Sequence, residues 1–330
     1  MPGAAIVGDA PRYFPPDNGR YEIKPGLRRP NNDPFDHKVF QIDSSFAHYR
    51  QAKLAARSES LEKYYQTCRY APAVAGTIAR FVAECLVREH GASFVAEESG
   101  DRLALHCKLS GEILHLDENG ALQWVEGAAV EPPYASALDA LSAQVQEDLA
   151  VVCRDRDGKD WVAAIHLCHA NHWAAAEKIG RSFAQVHAPV AGMEKINARA
   201  NAMVHAMIDR SPYVRFAWGL GTDARLNHHP QAPDGVDAKA WQGRHFAPDD
   251  PQLYMRVERQ VIWGFPQVNA ALFTIRTYFY DCAPMRRDKV MREKLCAAIA
   301  SMNEASLHYK GLYESKDNIL QWLLEETDDP

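Results

Sequence analysis

The chain has 330 residues, of which 47% are hydrophobic and 24% are charged. These fractions are typical of folded globular proteins and exclude disordered, collagen-like and coiled-coil classes. The net charge is −6 and no basic block is longer than two residues, so we expect neither a nucleic-acid partner nor an anionic membrane surface. No segment approaches the ~20 apolar residues of a spanning helix, and the N-terminus has no secretory pattern, which predicts a cytoplasmic protein.

The seven cysteines are scattered along the chain, and no two of them form a Cys-x-x-Cys pair. Iron–sulfur clusters and structural zinc sites need clustered thiolates, and a disulfide framework favours an even number. We therefore expect most of them to be small buried side chains in a reducing compartment.

The first half of the chain predicts an extended arm, two helices and antiparallel strands. Residues 1–43 are rich in proline, Ser44 or Ser45 can cap a helix ending near residue 57, and residues 71–90 repeat apolar side chains at helical spacing. Short apolar runs between residues 92 and 125 alternate with turns. The next two strand candidates are predicted hairpin partners and cover residues 148–153 and 161–167.

The second half predicts helices at residues 174–186 and 194–207 and a buried strand at residues 213–220. A segment rich in proline, glycine and aspartate follows at residues 228–252, and its length predicts a lid or a binding loop. The clearest strand, residues 272–279, alternates between two faces. One face carries Phe273, Ile275 and Phe279, and the other carries Thr274, Arg276 and Tyr278.

Two helices, at residues 285–302 and 314–325, end the series. Antiparallel strands with helices before, between and after them predict an α+β fold, with one sheet partly wrapped by helices. We expect a single domain over residues 44–330 that begins with a helical extension and follows an extended arm over residues 1–43.

Two patterns suggest common ligand sites but are weak. Gly219-Leu-Gly221-Thr-Asp-Ala224 matches a dinucleotide-binding fingerprint, yet a loop sequence follows it where a helix is required. His166, His169 and His172 resemble a metal cluster, but spacings of three fit neither one helical face nor one strand face. We favour surface or boundary histidines, and extend that interpretation to His228 and His229 in the long loop.

His187 stands at the end of a helical segment, two residues before Pro189. The residue before a proline is pushed out of the helical region, so the helix is predicted to stop at about His187. The imidazole is either a satisfied core histidine or a group with one nitrogen free to face a pocket.

Arg256-Val-Glu258-Arg259-Gln260 is a charged cluster ahead of an apolar strand. It is either a solvated helix face with an internal ion pair or a set of guanidinium donors for carboxylates.

Taken in order, several segments resemble the α subunit of the haem-dependent oxidative N-demethylases, over about residues 20–280. The most specific in combination are Val186-His-Ala-Pro-Val190, Arg256-Val-Glu-Arg-Gln260 and Phe273-Thr-Ile-Arg-Thr277. The other matching segments are residues 21–27, 39–43, 49–50, 146–149, 173, 177–181 and 215–218. The chain departs from the family pattern at Ala217, where the family has Asn, and at Gly264-Phe265-Pro266, where it has Arg-Leu-Pro.

The resemblance implies a PAS-like fold that has turned from sensing to catalysis. It implies that His187 is the axial ligand of the haem iron and that Glu258 acts in catalysis. The remaining candidates for haem and substrate contacts are Arg215, Trp218, Arg256, Arg259, Arg276 and Tyr278. Because a c-type attachment needs Cys-x-x-Cys-His, which the chain lacks, the haem is expected to be non-covalent haem b.

The implied reaction uses O₂ to oxidise a methyl group of a small secondary amine, dimethylamine being the first candidate, to a carbinolamine that collapses to formaldehyde. Electrons are expected from separate flavin and iron–sulfur reductase subunits, which carry FMN, a 2Fe-2S cluster and the NADPH site. The alternative from another class is a non-catalytic haem PAS sensor of O₂, CO or NO. A folded scaffold that has lost its cofactor is a third possibility.

Overall fold

The structure is a computed structural model in which residues 11–100 and 102–325 are described. Its strands are β1 (Tyr65–Thr67), β2 (Phe94–Ser99), β3 (Arg102–Cys107), β4 (Glu112–Leu116), β5 (Leu122–Glu126), β6 (Asp148–Arg154), β7 (Asp160–His166), β8 (Tyr213–Gly221), β9 (Tyr254–Phe265) and β10 (Ala270–Asp281). The helices before β8 are α1 (Phe46–Tyr64), α2 (Pro72–Glu89), α3 (Ala137–Ser142), α4 (Ala175–Lys178), α5 (Phe183–His187), α6 (Glu194–Asn197) and α7 (Ala200–Asp209). Those after β8 are α8 (Ala238–Gln242), α9 (Cys282–Arg287), α10 (Lys289–Ala300), α11 (Glu304–Lys310) and α12 (Lys316–Leu324).

The strands form two antiparallel sheets where the sequence predicts one. A six-stranded sheet has the order β1-β7-β6-β10-β9-β8, and a four-stranded meander has the order β2-β3-β4-β5. The predicted hairpin of β6 and β7 is confirmed, with Leu149 opposite His166. The fold is thus mixed, with antiparallel sheets and helices around them.

One face of the six-stranded sheet packs into the main hydrophobic core. Val151 of β6 and Leu272 of β10 meet Ile78 of α2 and Leu105 of β3, all fully buried. The second face carries α5 and α7, whose Phe183 and Met207 pack against the sheet at the edge of a cavity. Because strand side chains alternate, each sheet strand contributes to both environments.

Several predicted helices are shorter in the structure. The segment 174–186 divides into α4 and α5 at Gly180, whose φ of 72° favours glycine and ends the helical path. The segment 285–302 divides at Asp288, which caps α10 by accepting the backbone N–H of Met291. Helix α11 was not predicted. By contrast, α2 agrees with its predicted bounds to within one residue.

Strand β9 corrects the interpretation of the charged cluster as a helix face. The charged cluster Arg256–Gln260 lies in this twelve-residue strand, with its side chains buried, and not on a solvated helix face. The cluster pairs with β8 on one side and β10 on the other, which makes β9 a central strand. None of the described helices is long and apolar enough to cross a membrane.

The described part of the predicted arm, residues 11–43, contains one short 3₁₀ helix, Pro15–Asn18, and is otherwise irregular. It runs along the outer edge of the six-stranded sheet, where Arg28 forms an isolated antiparallel bridge with Val214 of β8. The Tyr21 N–H donates to Ser301 Oγ at 2.8 Å, which ties the arm to the C-terminal helices. The arm therefore covers the edge strand and reaches the cavity.

Candidate active site

A cavity of about 920 Å³ lies on the second face of the six-stranded sheet. This volume is within the range of roughly 300–1,000 Å³ usual for small-molecule and cofactor sites. Strands β6 to β10 all line it, and most of its floor comes from residues of β6, β8, β9 and β10. They are Ala150 and Val152 of β6, Arg215, Ala217 and Gly219 of β8, Arg256, Glu258, Gln260 and Ile262 of β9, and Phe273, Ile275 and Phe279 of β10.

The walls come from parts of the chain that are far apart in sequence. Arm residues 12–28 form one wall, and α5 and α7 form another with Phe183, Met203 and Met207. A third wall combines the segment after β7 with Lys310, the last residue of α11. The lining combines apolar and charged side chains, so the cavity can hold a ligand with an apolar body and charged groups.

His187 lines this cavity from the last position of α5. A capping box between Ser182 and Gln185 begins the helix and fixes its direction. The His187 Nδ1–H donates to the Phe183 carbonyl at 2.8 Å, which leaves Nε2 without a proton. Burial lowers the His187 pKa to about 4, so the ring is neutral at neutral pH. Among the described residues Nε2 has no hydrogen-bond partner, and a metal ion needs that arrangement.

Arg215, Arg244 and Lys310 line the cavity and form no salt bridge with a carboxylate among the described residues. The Nε atoms of Arg215 and Arg244 are buried and have no hydrogen-bond partner. Burial lowers the Lys310 pKa to about 8, and its Nζ donates to the Trp218 carbonyl at 2.7 Å. Unpaired buried cations are unfavourable, so this group is suited to a ligand with carboxylates.

Glu258 stands in the floor among polar neighbours. Its Oε1 accepts from Asn171 Nδ2 at 3.1 Å and from Arg256 Nε at 3.4 Å, and its Oε2 accepts from Gln260 Nε2 at 3.0 Å. Arg256 in turn donates to the carbonyls of His169 and Leu226. These bonds hold the Glu258 carboxylate in one orientation inside the cavity, and they use most donors of Arg256.

Arg259, Arg276 and Tyr278 do not line the cavity. Arg259 is three residues after Arg256 on a strand, and therefore faces the opposite side of the sheet. There it donates to the carbonyls of Asp36 and Lys38 at 2.6 and 2.8 Å. Side-chain alternation places Arg276 and Tyr278 on that same side.

Arg276 pairs with Asp43 at 2.9 Å and lies 3.9 Å from the Tyr49 ring centre. The Tyr278 hydroxyl donates to Gln41 Oε1 at 2.5 Å. These contacts join the arm to the sheet core, so the structure supports a packing role for the three residues. Trp218 borders the cavity, with its ring 5.8 Å from that of Tyr21.

The histidines of the apparent metal cluster are separated. His166 and His169 are buried, not at the surface, and they contact Asp139 at 3.0 Å and Asp148 at 3.5 Å respectively. Only His172 of the three lines the cavity. In the part of the chain that the structure describes, no three His, Cys, Asp or Glu side chains are grouped to hold a metal ion.

Sequence reasoning missed several cavity residues. Arg244 belongs to the long loop and Lys310 to an unpredicted helix, and neither has a local motif. Asn171, between His169 and His172, has no local motif either. The signal that could have found Arg244 was the unusual length of the loop segment 228–252, which predicted a lid or a binding loop. This segment does contribute His228, Gly243 and Arg244 to the cavity wall.

These features fit haem. His187 Nε2 is a nitrogen donor that would suit the haem iron, Arg215, Arg244 and Lys310 are cations that would suit the two propionates, and the apolar side chains of α5, α7 and β10 would suit the macrocycle. In a comparison with protein families, residues 33–320 match the family described as haem-dependent oxidative N-demethylase, alpha subunit-like. That description implies haem dependence, oxidative N-demethylation and the existence of other subunits. Since the match covers most of the chain, this protein belongs to the haem-dependent oxidative N-demethylase, alpha subunit-like family.

Proposed function

We propose that this chain is the catalytic α subunit of an oxidative N-demethylase, a PAS-like domain that binds one non-covalent haem b through His187. The observation that carries the proposal is the state of His187, a neutral imidazole at the cavity wall with Nδ1 engaged and Nε2 free. When bound, the haem supplies an iron centre that binds and activates O₂.

In this proposal the three unpaired cations hold the propionates. Arg215 on β8, Arg244 on the long loop and Lys310 on α11 approach from separate elements, so two carboxylates can each find a charged donor. A charge-assisted hydrogen bond contributes about 1.5–3 kcal/mol. The apolar wall near His187 excludes water from the face of the macrocycle.

Glu258 is the proposed binding group for the substrate amine. Its carboxylate is fixed by Asn171 and Gln260 and faces the cavity, while the small side chain of Ala217, opposite it in the β8–β9 register, leaves space above it. Trp173 and Tyr309 also line the cavity, and aromatic faces stabilise cations by about 0.5–2 kcal/mol. A small secondary amine such as dimethylamine suits this combination.

Electrons must come one at a time from partner subunits. A hydride donor such as NADPH requires a flavin to divide its electron pair, and this chain has no Cys-x-x-Cys pair or credible dinucleotide loop. We propose that FMN, a 2Fe-2S cluster and the NADPH site reside on those partners, in a cytoplasmic complex.

The test uses purified protein reconstituted with haemin. We expect a Soret band, a b-type pyridine haemochrome, and formaldehyde release from dimethylamine when NADPH and the reductase subunits are added. His187→Ala should lose the bound pigment, while His205→Ala, at a half-exposed surface position, should keep it. Bound haem without formaldehyde would favour the gas sensor, and colourless wild-type protein would refute the haem assignment.

A further inference from the structure

A second group of titratable side chains lies on the cavity wall, formed by Asp223, His228 and His172. Two backbone bonds fix its geometry: the His172 N–H donates to the His228 carbonyl and the His228 N–H to the Ala170 carbonyl, both at 2.9 Å. The segment after β7 and the long loop therefore meet in a short parallel bridge. His172 has a φ of 61°, an uncommon conformation for a histidine that this bridge holds in place.

Asp223 orients His228. The His228 Nε2–H donates to Asp223 Oδ1 at 2.7 Å, and Asp223 also accepts from Arg225 Nε and NH2 at 3.1 and 2.9 Å. Burial opposes ionisation of Asp223, but the bonds from His228 and Arg225 outweigh it and keep the Asp223 pKa below its usual range. The carboxylate therefore stays charged and holds the Nε2–H tautomer.

The other nitrogen of His228 is left without a partner. Its Nδ1 is buried and makes no hydrogen bond, although the side chain lines the cavity. A buried imidazole nitrogen with a free lone pair, opposite a charged carboxylate, is the arrangement of an oriented acid–base histidine. The Asp223 side chain is 29% exposed, so the dyad connects the cavity wall with solvent.

His172 lines the cavity beside this dyad. Its ring centre is 5.3 Å from that of His228, and the next residue back, Asn171, donates to Glu258. Burial lowers the His172 pKa to about 2, with Arg244 and His228 adding to the effect, so the ring is neutral at neutral pH. A neutral imidazole can accept a proton at one nitrogen and donate from the other.

Oxidative demethylation has a proton requirement that the haem, O₂ and amine do not meet. With two electrons from the reductase, one oxygen atom of O₂ enters formaldehyde and the other becomes water, which takes up two protons per turnover. We propose that Asp223 and His228 form an acid–base dyad that serves the cavity through His172. Proton uptake forms the Nδ1–H bond of His228 and proton release breaks it. Throughout, the Nε2–H group of His228 keeps its proton and its hydrogen bond to Asp223.

This inference rests on the proposed function for its substrate, but the dyad itself can be tested separately. The charged groups that face the rings of His228 and His172 are Asp223 and Arg225 from the loop after β8, Arg244 near α8, and Arg256 from β9. Histidine ¹⁵N NMR of the purified protein should show a single Nε2–H tautomer for His228 at neutral pH. Asp223→Ala should give a mixture of tautomers.

The second measurement uses turnover of the reconstituted enzyme with its reductase. Asp223→Asn removes the charge that stabilises a His228 cation, and His228→Gln removes the proton acceptor. We expect both to lower demethylation by roughly tenfold to hundredfold, to alter the pH profile and to increase the solvent isotope effect, with electrons diverted to peroxide. His172→Gln should show the same pattern, and wild-type behaviour of this variant would refute the path through His172.

The matched control is His205→Gln. His205 forms an equally short pair with Asp209, 2.7 Å, but it is half exposed on α7 and does not line the cavity. It should behave as the wild type. Wild-type pH profiles and isotope effects in Asp223→Asn and His228→Gln, or mixed tautomers of His228 in the wild type, would overturn the inference. Absence of formaldehyde in the wild type would instead refute the proposed function, and the tautomer result would still decide whether Asp223 orients His228.

Discussion

Replacing Arg215 by methionine should have opposite effects on the haem-free and haem-loaded protein. Arg215 lies in the cavity floor with a buried, unpaired Nε, and burial lowers its pKa, so its charge is poorly accommodated when no anion is bound. Methionine keeps the apolar stem and removes the charge. We therefore expect the haem-free variant to be more stable than the haem-free wild type.

The magnitude follows from the cost of an unsatisfied buried polar group, about 1–3 kcal/mol, of which we take the lower half because the Arg215 side chain is not fully buried. Unfolding entropy is about 2.1 cal/mol/K per residue, or about 0.7 kcal/mol/K for 330 residues. The melting temperature should rise by about 1.5–3 °C. Haem affinity should fall by about ten- to hundredfold, because one charge-assisted bond to a propionate is lost.

The assays are thermal unfolding of the haem-free protein and haem transfer to an acceptor protein. Arg156→Met serves as the control, since Arg156 is exposed in the β6–β7 turn, and neither quantity should change. A haem-free Arg215→Met protein that is less stable than wild type would show that Arg215 has a structural partner. Unchanged haem affinity would show that Arg215 does not contact a propionate.

Three other predictions concern His187, a close backbone contact and the arm. The His187 pKa lies near 4 in the folded protein and near 6.5 in the unfolded chain. The neutral ring's contribution to the free energy of unfolding is therefore complete above pH 6.5 and declines as the pH falls. By pH 4 the haem-free wild type should lose about 3 kcal/mol more unfolding free energy than His187→Gln, measured in urea. Gly264→Ala should lower the free energy of unfolding by about 2–3 kcal/mol, since a Cβ would lie 2.1 Å from the Ile208 carbonyl oxygen. Gly219→Ala is the control, because a Cβ there meets nothing closer than 3.8 Å, and equal stabilities of the two variants would contradict the prediction. Deleting residues 1–28 removes a cavity wall and should speed haem release, and an unchanged release rate would show that the arm does not enclose the ligand.

Local pattern identified the parts of the site that depend on local geometry. Alternation along β10 placed Phe273, Ile275 and Phe279 on one face, and these side chains line the cavity. Helix α5 ends at His187, where predicted, although Ala188 before Pro189 keeps helical dihedral angles and does not show the expected effect of the proline. The axial role of His187 stays a prediction. Its position at a helix end followed from the sequence, whereas only the structure shows that it lines a cavity.

Local pattern failed where burial depended on distant partners. Charged residues in Arg256–Gln260 indicated solvent exposure, because an isolated buried charge is unfavourable. The chain buries them by supplying partners from elsewhere: carbonyls of His169 and Leu226 for Arg256, and carbonyls of the arm for Arg259. No window of sequence around β9 contains those partners.

The sequence by itself therefore determined many of the element types, the two faces of β10 and the family resemblance, because each depends on neighbours within a few residues or on ordered motifs. Only the tertiary structure decided which charged groups share the cavity. It brought Arg244 and Lys310 beside Arg215 and placed Arg259 and Arg276 on the other side of the sheet. Sheet pairing and helix packing join residues far apart in the chain, and the electrostatics of the site follow from those long-range contacts.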